Sequence, residues 1–139
     1  MNSVKEKLKS GKFTIGSWMQ IPNSSIAEIL GNAGFDWIAL DLEHGAFSLH
    51  LLPDIFRAIR IAGSFPFARV AQNHPKDIKQ AMDAGAAGII VPMIETAEQV
   101  RSFYCGVVIH RMEFEVLVIL TRIYLGNTLI LILRSLIPI

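Results

Sequence analysis

Apolar and polar positions follow a repeating order over the first hundred residues: a short apolar run, a turn, then an apolar stripe at helical spacing. Residues 4–10 read as a short polar helix stopped by Gly11. Residues 13–21 alternate loosely and are rich in β-formers, predicting a strand that leads to Pro22 and Asn23. Ser24 or Ser25 is placed to cap a helix whose stripe is Ile26, Ala27, Ile29, Leu30 and Ala33, with Gly34 at its end. A second strand is predicted over 36–42. Ser48 then opens a helix with Leu51, Leu52, Ile55, Phe56, Ile59 and Ala62 on one face, stopped by Gly63. The cycle returns with a strand over 65–71, then Pro75 in a first helical turn and Ile78, Ala81, Met82 and Ala84 facing inward before Gly85. A fourth strand over 88–94 precedes a helix capped by Thr96 and running to Phe103.

Four β-then-α units with short connectors imply parallel strands joined by right-handed crossovers. The strands are apolar runs rather than alternating ones, as expected where helices cover the sheet. A doubly wound sheet and a section of a (β/α)8 barrel both satisfy this pattern. No G-x-G-x-x-G follows a strand, so a dinucleotide site has no support.

The charges nearly cancel, at +1 over 139 residues, and no basic stripe forms, so nucleic acid is not an expected partner. A lone Cys105 leaves no internal disulfide and suits a reducing, cytoplasmic setting. The charged N-terminus lacks the apolar core of a signal peptide.

In parallel α/β folds, function gathers at the carboxyl ends of the strands. Trp18 and Gln20 stand there after the first strand, and Asp41, Glu43 and His44 after the second. Arg69 and Asn73 follow the third, and Pro92 and Glu95 the fourth. Asp41, Glu43 and His44 fall within four positions, just before Gly45. A carboxylate beside an imidazole orients a general base and raises its proton affinity. The plainer reading of that spacing is a polar loop with a solvated His44. His50 and His74 read as solvated residues at helix starts.

Six segments in series carry a resemblance: GSWMQIP (16–22), AEILxxAGFDW (27–37), DLEHG (41–45), ARV (68–70), DAGAxGIIVPM (83–93) and TAEQV (96–100). Together they resemble the HpcH/HpaI aldolase family, metal-dependent pyruvate aldolases of the 4-hydroxy-2-oxoheptanedioate aldolase type. The resemblance implies the N-terminal half of a (β/α)8 TIM barrel, about four β/α units, in residues 1–103. It also implies homo-oligomeric assembly, no membrane role, and reversible retro-aldol cleavage of a 4-hydroxy-2-oxo acid to pyruvate and an aldehyde. Carried over, His44 resembles the catalytic base and Asp41 its orienting partner. Arg69 resembles the arginine that binds the oxo-acid oxygens, and Trp18 would line the pocket; the plainer readings are a carboxylate partner for Arg69 and a core position for Trp18. Glu43 would support the water shell of a divalent metal, Mg2+ or Mn2+. The family's metal ligands, a Glu and an Asp, are expected downstream of the matching segments. Glu95 is not one of them, and no metal ligand is assigned.

Residues 104–139 change character. From 109 onward the only charged residues are Arg111, Glu113, Glu115, Arg122 and Arg134, set in a flood of Leu, Ile and Val. Glu115, Arg122 and Asn127 break the run too often for a membrane span. A one-nucleotide slip in reading frame would account for the composition. Arg111 written CGN supplies a codon ending in CG, compatible with proline, and Met112, which can only be ATG, makes its junction with Glu113 spell GGA, glycine. The shifted string can read PNGVRG, then FGYS, and Leu125 to Leu131 can yield GKYFDT. These resemble the family's own continuation. The expectation is an out-of-frame apolar tail after about residue 103, ending at an early stop, with poor solubility and impaired catalysis.

Overall fold

In the computed structural model, the described residues are 4–94, 96, 98–99, 119–120 and 131–132. Helix α1 (Val4–Lys9) precedes strand β1 (Gly16–Met19), and helix α2 (Ser24–Asn32) leads to β2 (Trp37–Asp41). A 3-10 turn (Leu49–Leu51) feeds α3 (Leu52–Ile61). Then come β3 (Phe65–Arg69), α4 (Pro75–Asp83) and β4 (Gly88–Ile90). The strands lie in the order β1-β2-β3-β4, every pair parallel.

Which face the crossover helices occupy decides between the two architectures left open by the sequence. Ala27 of α2, four residues of α3 (Leu52, Ile55, Phe56, Ile59) and Ile78 and Ala81 of α4 are buried in one cluster. Ile38, Leu40, Ala68 and Ile89 from the sheet join them. Alternate strand positions point to opposite faces, so α2, α3 and α4 all lie on one side. A doubly wound sheet would divide them; this is the wall of a barrel. The other face carries Ala39, Phe67 and Ile90, buried with Val4 of α1 and packed by Leu8, Trp37 and Phe65. The N-terminal helix, polar by composition, thus uses two apolar residues to cover the inner face near the strand starts. Lys7 of α1 also pairs with Asp36, whose other oxygen accepts the Ile15 N–H at 3.0 Å.

Several boundaries differ from the periodic reading. Strand β1 begins at Gly16, and Phe13 and Ile15 ahead of it are exposed. The cap of α2 is Asn23, not Ser24 or Ser25: its side chain accepts the N–H groups of Ser25 and Ile26. Asn23 alone stands in extended backbone (φ −141°) just before the helix, where a cap must sit. Ile29, expected in the buried stripe of α2, faces solvent. Ser48 precedes the 3-10 turn and makes no side-chain cap bond there. Helix α3 starts later, with Pro53 in its first turn.

The predicted capping by Thr96 is present. Its Oγ1 accepts the Gln99 N–H at 3.2 Å, while Gln99 Oε1 accepts the Thr96 N–H at 3.0 Å. The remainder of that helix, to Phe103, falls outside the described residues, as do Glu95, Cys105 and most of the tail. Within the tail, β5 (Ile119–Leu120) and β6 (Leu131–Ile132) pair antiparallel in a sheet of their own. Among the described residues, no helix is long and apolar enough to cross a membrane.

Candidate active site

Register places the polar centre. Asp41 lies directly opposite Arg69 across β2 and β3, and the Leu42 N–H bonds to Arg69 O at 2.9 Å just beyond. Met19 lies opposite Leu40, so Gln20 falls alongside Asp41. Because Leu40 and Ala68 face the helices, Asp41 and Arg69 face the barrel interior. Three neighbouring strand tips therefore form one row, Gln20–Asp41–Arg69, at the carboxyl end of the sheet.

Asp41 is the most constrained member, at 1% exposure. Its Oδ1 accepts from Arg69 Nε at 2.9 Å and from the His44 backbone N–H at 3.1 Å. Its Oδ2 accepts from the Arg69 guanidinium at 2.6 Å and from Gln20 Nε2 at 2.7 Å. Burial alone would push the Asp41 carboxyl up. The hydrogen bonds from Arg69, Gln20 and the His44 backbone outweigh it and hold the group at about 2. Asp41 is an anion at any physiological pH.

Past Asp41 the chain turns sharply, with the Gly45 N–H returning to Asp41 O at 2.8 Å. A Cβ at Gly45 would stand 2.4 Å from that oxygen and 2.8 Å from the Phe47 ring, so only glycine closes this turn. The turn lifts Glu43 and His44 over the row. Glu43 Oε2 sits between the Arg69 guanidinium, 3.3 Å from Nε, and the His44 imidazole, 3.6 Å from Nε2. The His44 side chain is 62% exposed, and Arg69 only 15%. Trp18 covers the guanidinium, its ring centroid 4.8 Å from Arg69 Cζ, with the indole still 44% exposed.

All five residues singled out for site roles, Trp18, Asp41, Glu43, His44 and Arg69, come together. One pairing is corrected. Asp41 was expected to orient the His44 imidazole, but its two oxygens serve Arg69, Gln20 and the His44 backbone. The carboxylate nearest the ring is that of Glu43. The reason is positional: Asp41 is the last strand residue and is locked into the row, whereas the turn carries the imidazole outward. Gln20 was seen only as a strand-end residue; its bond to Asp41 needed the register of two strands far apart in sequence. Asn73 instead ties to the backbone, donating to Gln99 O at 3.2 Å. His74 caps α4 through Nδ1, and His50 lies in the 3-10 turn. A cavity of about 270 Å3 opens at the opposite end of the strands, beside Lys7, Asp36 and Phe65, away from this chemistry.

Among the described residues no three His, Cys, Asp or Glu side chains gather to hold a metal ion. Asp41, the buried carboxylate, has both oxygens committed to donors. The described residues thus do not fit the donor set of a divalent cation.

With this geometry in view, comparison with known proteins assigns the family. The family model described as HpcH/HpaI aldolase/citrate lyase matches residues 14–132. A hydroxypyruvate/pyruvate aldolase of Roseobacter denitrificans is 44% identical over 101 residues, covering 73% of this chain and 40% of the relative. A 4-hydroxy-2-oxo-heptane-1,7-dioate aldolase of Salmonella dublin is 38% identical over 101 residues, 73% of this chain and 38% of its own length. A crystal structure of an HpcH/HpaI aldolase/citrate lyase family protein from Burkholderia cenocepacia J2315 superposes with a TM-score of 0.69 at 33% identity. It covers 76% of this chain and 42% of the other. The chain spans about 40% of the length of the curated relatives it matches, and its four parallel strands and three crossover helices correspond to part of a (β/α)8 barrel. It belongs to the HpcH/HpaI aldolase/citrate lyase family.

Proposed function

We propose that this chain carries the oxo-acid-binding and proton-transfer part of a pyruvate-forming aldolase site, for reversible cleavage of a 4-hydroxy-2-oxo acid to pyruvate and an aldehyde in the cytoplasm. One observation carries the reading: Arg69 is held side-on by Asp41 at 2.9 and 2.6 Å, under the Trp18 ring. That clamp leaves the other edge of the guanidinium to meet a carboxylate in a paired geometry. The exposed His44 imidazole stands across Glu43 from it, and in this reading it takes the proton of the substrate 4-hydroxyl as the carbon–carbon bond breaks. Family members are generally divalent-metal dependent, and Mg2+ or Mn2+ would supply Lewis-acid stabilisation of the pyruvate enolate. The described residues do not provide that site, so the isolated chain should turn over little or no substrate.

Two measurements test this. Pyruvate titrated against the chain and followed by NMR should bind weakly and saturably, and Arg69→Leu should abolish binding. A pyruvate-release assay with Mn2+ should show at most a trace; robust turnover abolished by His44→Ala would refute the impairment. The frame slip proposed for residues 104–139 is decided by the gene's nucleotide sequence across codons 100 to 115, and the family match extending to residue 132 makes that sequence the deciding observation. An alternative is a non-catalytic half-barrel binding or assembly module. It predicts a defined oligomer on size exclusion with no cation dependence.

A further inference from the structure

We propose that Gln20 is a positioning residue of this site, anchoring Asp41 so that Arg69 turns a fixed edge toward the carboxylate of a bound 2-oxo acid. The proposal rests on the functional reading above and extends it to a strand-end residue to which the resemblance gave no role.

The chemistry of the contact fixes its sense. An ionised carboxylate only accepts hydrogen bonds, so the amide must turn Nε2, not Oε1, toward Asp41. The 2.7 Å separation is that of a charge-assisted bond. Each Asp41 oxygen then receives one donor from Arg69 and one from elsewhere, the His44 backbone on Oδ1 and Gln20 on Oδ2. The carboxylate is held from β3, from the turn and from the tip of β1, so it cannot rotate about its own bond. Without Gln20, Oδ2 keeps only the guanidinium it is meant to orient, and that restraint becomes circular.

A competitor lies close by. Glu43 Oε2 is 3.3 Å from Arg69 Nε, so the guanidinium has two carboxylates within reach. Gln20 donates to Asp41, and this bond holds one of the two rivals in place. If it is lost, the guanidinium can swing toward Glu43, moving its outer edge and leaving the Trp18 face. Gln20 is itself exposed and lies outside the buried clusters, so its replacement removes a polar restraint rather than packing.

The test is pyruvate binding by NMR in the full chain and in Gln20→Leu, Gln20→Glu and Arg69→Leu, at about pH 7.5 and about pH 5.5. Gln20→Leu should weaken binding roughly tenfold relative to the parent at both pH values, the scale of one charge-assisted hydrogen bond. Gln20→Glu should be as weak at the higher pH, where the introduced carboxylate repels Asp41. It should return to within about twofold of the parent at the lower pH, where the introduced carboxyl, its proton affinity raised by Asp41, again donates. A role confined to tying β1 to β2 would show no such recovery. Parent-like binding by both Gln20 variants, or an equal deficit of Gln20→Glu at both pH values, overturns the proposal. Pyruvate binding that survives Arg69→Leu overturns the functional reading itself.

Discussion

Asp41 concentrates the physics of the site in one side chain. Its carboxyl is held at about 2, against an ordinary 3.8. A depressed folded-state value means that the stabilisation is complete above the unfolded value. It is lost as pH falls from about 4 through about 2. The difference corresponds to about 2 kcal/mol of folding stability. Denaturant titrations at pH 6 and at about pH 2.5 should show a larger acid loss in the parent than in Asp41→Asn, which has no carboxyl to protonate. Equal losses would place the acid sensitivity elsewhere, with Asp36 the next candidate, since its hydrogen bond from Lys7 also lowers it. Part of this residue-scale picture was legible from the chain. Asp41, Glu43 and His44 announced themselves by clustering after an apolar run. Their pairing did not, because which carboxylate meets which cation depends on the register between strands.

At the scale of elements, local signals served well where one side chain does one local task. Thr96 was read as a cap and is one. Of the stripe read as one helix face, Leu51, Leu52, Ile55, Phe56, Ile59 and Ala62, the middle four are at most 2% exposed, while Leu51 and Ala62 at its ends are only half-buried. The cap of α2 was misplaced by one or two residues, because Asn23, Ser24 and Ser25 are all competent caps and only backbone geometry chooses among them. Replacing Asn23 with Ala should therefore cost about 1 kcal/mol, read as a shift in the urea midpoint, whereas Ser24→Ala should leave it nearly unchanged. Ile29 shows the opposite error. Helical spacing placed it in the stripe, but α2 turns it outward, and periodicity cannot decide the rim of an apolar face.

For the molecule as a whole, the decisive feature is that all three crossover helices share one face while α1 covers the other. Val4 and Leu8 are small as a hydrophobic contribution, yet they shield Phe67, Ala39 and Ile90. Converting Val4 to Asp should bring a charge against that cluster and destabilise the fold by a few kcal/mol, with self-association on size exclusion as the visible consequence. A parent-like elution profile and melting curve would mean that α1 is dispensable for the inner face.

The amino-acid sequence by itself determined the alternation of strands and helices, the parallel handedness of their connections and the end of the sheet where chemistry gathers. Those properties follow from periodicity, turn residues and chain connectivity, all of them short-range. Tertiary structure alone decided that the helices take one side, that Asp41 serves Arg69 rather than the imidazole, and that Gln20 joins them. Each of these is a contact between segments about twenty to thirty residues apart, and such contacts are set by strand register and by packing, which no local pattern encodes.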